Sequence, residues 1–184
     1  MPQVRFATAR SLFEAFPELS KKSSVAPTDE GSIAFLRRLS ADKMLEDAVT
    51  FCAHLLPRRE AVWWGCLSTR AFHHGDTMPG RTEGLLKAEA WVYEPTDQNR
   101  RAALEFGTAG DSSDPLNWLA LGAGWSGGML VSNPKTSVPV PQYMTARAVR
   151  IAILLGARQI RPAERSVRIQ ASIADGIKLA ETGL

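Results

Sequence analysis

Apolar residues recur at helical spacing along most of this chain, and short clusters of proline, glycine, serine and aspartate punctuate them. From Thr8 to Phe16 the pattern sets Leu12, Phe13 and Phe16 on one side of a short helix that Pro17 stops. A polar connector covers 20–32, and helix signals resume at Ser32 with Ile33, Phe35, Leu36 and Leu39. Ser40 is the expected N-cap of the next helix, in which Leu45, Ala48, Val49, Cys52, Leu55 and Leu56 trace one buried face. Pro57 ends that helix and opens another over 58–73. There the expected buried residues are Val62, Trp63, Cys66 and Leu67, with Trp64 about 100° further round.

Further on, Thr82-Glu83, Thr96-Asp97 and Asp114-Pro115 each open a helix, carrying Leu85 to Val92, Ala103 to Phe106 and Leu116 to Trp125. Residues 127–143 break the rhythm with Gly127-Gly128, Pro134, Pro139 and Pro141, and read as a long loop, extended from Ser137 to Gln142. Thr145 is the expected cap of an apolar helix, and Pro162 begins a final one with Ile169, Ile173 and Ile177 at four-residue intervals. The pattern predicts an all-α, single-domain helical bundle or short stack of helical hairpins with about eight helices. An N-terminal helix and polar connector (1–31) precede the helical domain proper (32–184).

Composition agrees with helix. Alanine and leucine total 44 residues against 17 valine and isoleucine, and unbranched side chains keep more rotamer freedom in a helix. The net charge of +3 is unevenly spread, for residues 144–184 carry 7 basic and 3 acidic side chains. That surplus is small beside the basic faces of nucleic-acid binders, and no aromatic residues interleave with its arginines for base stacking. Cys52 and Cys66 form no short pair motif and read as small buried hydrophobes. No run of about 18 apolar residues could span a bilayer, and no apolar export core opens the chain. A cytoplasmic protein is expected, with no membrane partner.

Three patterns imitate catalytic motifs. Gly124-Trp125-Ser126-Gly127-Gly128 fits the nucleophile elbow, yet a helix rather than a strand leads into it, and His54, His73 and His74 all precede the serine. Gly122 to Gly127 fits the dinucleotide glycine pattern, but no acid lies between Asp114 and Glu164 to hold a ribose. Gly122 and Gly124 are instead expected to let a neighbouring helix approach. His73, His74 and Asp76 are the one cluster of metal-ligand types, and adjacent histidines on a helix diverge too far to share an ion readily. No acid, base and nucleophile come together, so no catalytic residue, cofactor or metal is assigned.

Binding features are clearer. Five tryptophans lie between Trp63 and Trp125, and adjacent Trp63 and Trp64 cannot both face one seam. An exposed Trp64 beside Arg58 and Arg59 would suit a protein-interface hot spot. In the 127–143 loop, Val138, Val140 and Tyr143 supply apolar contacts, while Pro139 and Pro141 stiffen the backbone. The predicted protein-binding surface joins Arg58, Arg59 and Trp64 to Val138, Val140 and Tyr143. The arginines at 147, 150, 158, 161, 165 and 168 give a basic helical face beside it.

Four stretches also carry a resemblance: Leu56-Pro57-Arg58-Arg59-Glu60-Ala61-Val62-Trp63-Trp64, Ala90-Trp91-Val92 with Pro95, Asn99-Arg100-Arg101-Ala102-Ala103, and Trp125-Ser126-Gly127-Gly128. Together they resemble an uncharacterised family of small helical bacterial proteins associated with type VI secretion gene clusters, over about residues 33–157. That family carries no catalytic assignment. The resemblance implies a non-enzymatic adaptor or chaperone-like accessory protein that binds a secretion component or effector. The alternatives are an immunity protein and a metal-dependent enzyme built around His73, His74 and Asp76.

Overall fold

The computed structural model describes residues 4–21, 23–72, 82–130 and 138–184. Among them are ten helices and no strand, so the chain is all-α. Thr8 caps the first helix, α1 (Ala9–Ala15), its hydroxyl accepting from the Ser11 amide while the Ser11 hydroxyl takes the Thr8 amide. Pro17 then opens a four-residue helix, α2 (Pro17–Ser20), which the hydrophobic pattern is too short to disclose. Next come α3 (Ser32–Ala41), α4 (Leu45–Leu55) and α5 (Arg58–Phe72). Ser40 is not a cap: it lies inside α3, and Lys43 in the left-handed region (φ 61°) turns the chain into α4. A left-handed residue just past a helix ends it more sharply than a competing side-chain cap.

After α6 (Glu83–Tyr93), Thr96 caps α7 (Asp97–Ala109) and Asp114 caps α8 (Pro115–Gly124), each accepting a first-turn amide as expected. The last two helices are α9 (Tyr143–Arg158) and α10 (Pro162–Thr182). Thr145 does not cap α9 either. The helix begins two residues earlier, where the Pro141 carbonyl takes the Met144 amide, and Thr145 is sealed inside.

The helices form one core rather than two. Phe13 of α1 packs edge-on against Phe35 of α3 and at a tilt against Phe51 of α4, so the N-terminal helix belongs to it. At the centre, α5 touches α9, α10, α6 and α8, and α8 in turn packs on α7, α9 and α6. Gly124 shows how close these approaches are: a Cβ there would lie 2.6 Å from the Leu104 Cα of α7. The glycine therefore serves packing, as expected. Ile169, Ile173 and Ile177 turn their shared face of α10 inward.

Candidate interaction surface

The first turn of α5 organises one end of the bundle. Arg58 and Arg59 stand about 100° apart there and reach two different helix ends. Arg58 Nη1 donates to the Ser126 carbonyl just beyond α8 (2.5 Å), and Arg59 Nε to the Val92 carbonyl in the last turn of α6 (2.7 Å). Arg100 adds a third such contact, with Nη1 on the carbonyls of Gly124 and Gly127 and its remaining donors on Asp97. Helix C-termini leave carbonyls without intrahelical partners and carry partial negative charge, so guanidinium forks satisfy both demands. Arg58 and Arg59 thus tie these helix ends together as well as lending the surface charge.

Trp64 is not on that surface. It is fully buried, and its indole nitrogen donates to the Ser172 carbonyl of α10 at 2.7 Å. The expectation fails because α5 is enclosed on several sides, so its buried arc spreads from Ala61 to Phe72 beyond one seam. Trp63 is the outward member of the pair. Its ring meets Tyr93 edge-on at 5.7 Å, and Tyr93 itself is 69% exposed. Tyr93 ends an outward stripe of α6 that also holds Leu86 and Ala90, at i, i+4 and i+7. Sequence reasoning had one usable signal for this patch: Leu86, Ala90 and Tyr93 share a face that lies off the Leu85-Ala88-Val92 arc.

The three loop residues separate. Val138 is exposed and lies beside Leu130, whose amide donates to the Val138 carbonyl. Met129 pairs with Pro139, and the Val140 amide donates to the Gly128 carbonyl. This paired segment runs from solvent into the bundle, so Val140 at its inner end is buried. Tyr143 opens α9 and turns toward α4 instead, half-buried. Only Val138 of the three joins an outward apolar patch, with Met129 and Leu130. Because Arg58 grips Ser126 and Arg59 grips Val92, this patch and the Trp63–Tyr93 pair flank the same turn of α5.

The basic face also divides. Arg165 donates to the carbonyls of Ala157, Arg158 and Ile160, closing the C-terminus of α9, and Arg168 donates to Ala71 near the end of α5. Arg161 pairs with Glu164, and Arg150 turns in to the Thr50 hydroxyl of α4. Arg147 and Arg158 remain outward. His73, His74 and Asp76 lie outside the described residues. Among the described ones, no three His, Cys, Asp or Glu side chains gather as metal ligands. No described helix is long and apolar enough to cross a membrane.

Residues 35–180 match a family of unknown function (DUF6931). No curated protein and no solved structure matches the chain.

Proposed function

We propose that this chain, which belongs to the family of unknown function DUF6931, is a protein-binding helical domain without catalysis of its own. In this reading it works in the bacterial cytoplasm as an adaptor or chaperone-like accessory protein, and its partner is a component or effector of a type VI secretion system. The observation that carries the binding role is the Trp63–Tyr93 pair, two aromatic rings in contact beside the Arg59–Val92 bond, with Tyr93 outward. Tryptophan, tyrosine and arginine dominate the energetics of protein interfaces because they bury large area at low entropic cost. The neighbouring Met129, Leu130 and Val138 extend the apolar surface across the turn of α5. The secretion assignment rests on the resemblance of the motifs around Trp63, Trp91, Arg100 and Trp125.

Co-expression with each protein encoded beside the chain tests the reading. One of them should co-purify with the wild-type chain and bind far less to the double variant Trp63→Phe/Tyr93→Ser, whose thermal midpoint stays close to wild type because Tyr93 is exposed and the ring at 63 is kept. Val138→Ser should weaken capture less, and Val140→Ser should lower stability instead. Capture of the same partner at undiminished strength by the double variant would refute the surface, and capture of none of the neighbours would refute the secretion partner.

A further inference from the structure

A cleft of about 620 Å³ opens between α2 with its following turn, the first half of α4 and the first half of α9. Its size is that of a small-molecule site, and its walls differ in sign. Arg147 and Arg150 face it from α9, one turn apart, while Glu46 and Asp47 face it from α4 and Glu18 from α2. Elsewhere opposite charges on this protein pair directly, as in Arg10–Asp29, Arg38–Glu30 and Arg70–Glu89. Among the described residues, neither arginine of the cleft meets any of its three carboxylates. Arg150 reaches the α4 wall at the Thr50 hydroxyl rather than at a carboxylate.

The spare bonding capacity can be assigned atom by atom. Asp47 is occupied, since it accepts from the hydroxyls of Ser23 (2.9 Å) and Ser24 (2.6 Å). Among the described residues, Arg150 places only Nε, on the Thr50 hydroxyl at 2.7 Å, with its terminal donors toward the cleft. Arg147 is exposed. Glu18 has one carboxylate oxygen, Oε1, sealed from solvent with no donor among the described residues. His54, against Phe16, gives its Nδ1 proton to the Thr50 carbonyl at 2.8 Å, so the neutral ring keeps Nε2 as an acceptor. Donors therefore stand on one wall and acceptors on the other.

We infer that the cleft binds a small zwitterion, its carboxylate on Arg147 and Arg150 and its ammonium on Glu18 and Glu46. An anion alone would gain on the α9 wall and be repelled by the carboxylates opposite, and a cation alone would suffer the reverse. A molecule bearing both charges, separated by a short backbone, satisfies each wall. A guanidinium fork suits a carboxylate particularly well, because two parallel donors match its two oxygens. Free short peptides and free amino acids share this chemistry. Their lengths distinguish them.

Calorimetric titration of the full chain at millimolar ligand, with thermal shift alongside, tests the inference. The probes are free-ended tripeptides of varied central residue, their N-acetylated and C-amidated forms, and free amino acids. Free-ended probes should bind saturably, and capping either end should weaken binding by roughly tenfold or more. Arg147→Gln and Glu18→Gln should each weaken binding by a similar factor without lowering the unliganded midpoint, while Arg158→Gln, at the far end of α9, should not. Equal binding by amino acids and tripeptides would identify the ligand as the smaller molecule. No binding by any probe, or binding indifferent to capping and to both cleft variants, would overturn the zwitterion site. The Trp63→Phe/Tyr93→Ser variant should bind the same probes normally, which keeps this test separate from that of the protein-binding surface.

Discussion

The indole nitrogen of Trp64 on α5 donates to the main-chain carbonyl of Ser172 on α10, a 2.7 Å bond between residues 108 positions apart. The Ser68 hydroxyl donates to the Trp64 carbonyl, so its short contact with the Ser172 hydroxyl is received from Ser172. This sealed polar cluster fixes the register of α10 on α5. Trp64→Phe removes the donor and leaves space, and should cost about 2–3 kcal/mol of unfolding free energy. Trp63→Phe, one residue away but only partly buried and still carrying a ring, should cost less, about 1 kcal/mol. Urea titrations of both variants measure the contrast.

Gly124→Ala should destabilise by about 1–3 kcal/mol, since the new Cβ would press on the Leu104 Cα at 2.6 Å, which is main chain and cannot swing aside. Replacing glycine by alanine in an uncrowded helix has the opposite sign, stabilising by up to about 1 kcal/mol. The sign of the change in thermal midpoint is therefore the reading to take.

His54 is buried, and burial, followed by the charges of Arg150 and Arg5, pushes its pKa down to about 4 despite the Thr50 carbonyl bond that raises it. The unfolded chain, with an ordinary imidazole, binds a proton first as pH falls. The folded state therefore loses stability between about pH 6.5 and pH 4, by about 3 kcal/mol in all, and gains nothing further above that window. His54→Leu should flatten this part of the stability–pH curve. The difference between wild-type and variant urea midpoints at pH 7.5 and pH 5 isolates it from the surface carboxylates.

Both thiols are buried and free, and loss of hydration pushes the pKa of Cys52 and of Cys66 up, away from the reactive thiolate. Neither should react with a chromogenic disulfide reagent in the folded protein at neutral pH. Both should react fully in strong denaturant, and the labelling rate should follow the unfolding equilibrium.

What the sequence discloses here is local. Thr8, Thr96 and Asp114 cap the helices they precede, because a cap and the amides it accepts lie within three residues of each other. Ser40 and Thr145 look equivalent in sequence but sit inside helices, since the chain reversal at Lys43 and the turn at Pro141 set those boundaries instead. Trp63 and Trp64 were inseparable for a different reason. A helix enclosed on several sides has no single apolar arc, and the ring that is covered depends on where α10 docks. The charged cleft was invisible for the same cause, its walls coming from α2, α4 and α9. Even the C-terminal arginines, which look like one surface in sequence, divide, for Arg165 and Arg168 are occupied by carbonyls that no linear pattern places beside them.

The Trp64–Ser172 bond also has a timing. Ser172 is added to the growing chain 108 residues after Trp64, which at about 5–20 residues per second is roughly 5–20 s of synthesis. Throughout that interval α5 has its neighbours in α4 and then α6, but not the helix that covers its indole. The newborn chain therefore holds an uncovered tryptophan face while it is still attached to the machinery that makes it. With Trp63, Trp91, Trp118 and Trp125 replaced by Phe, ribosome-bound chains halted before residue 162 should fluoresce as if Trp64 were wet, and the released full chain should not.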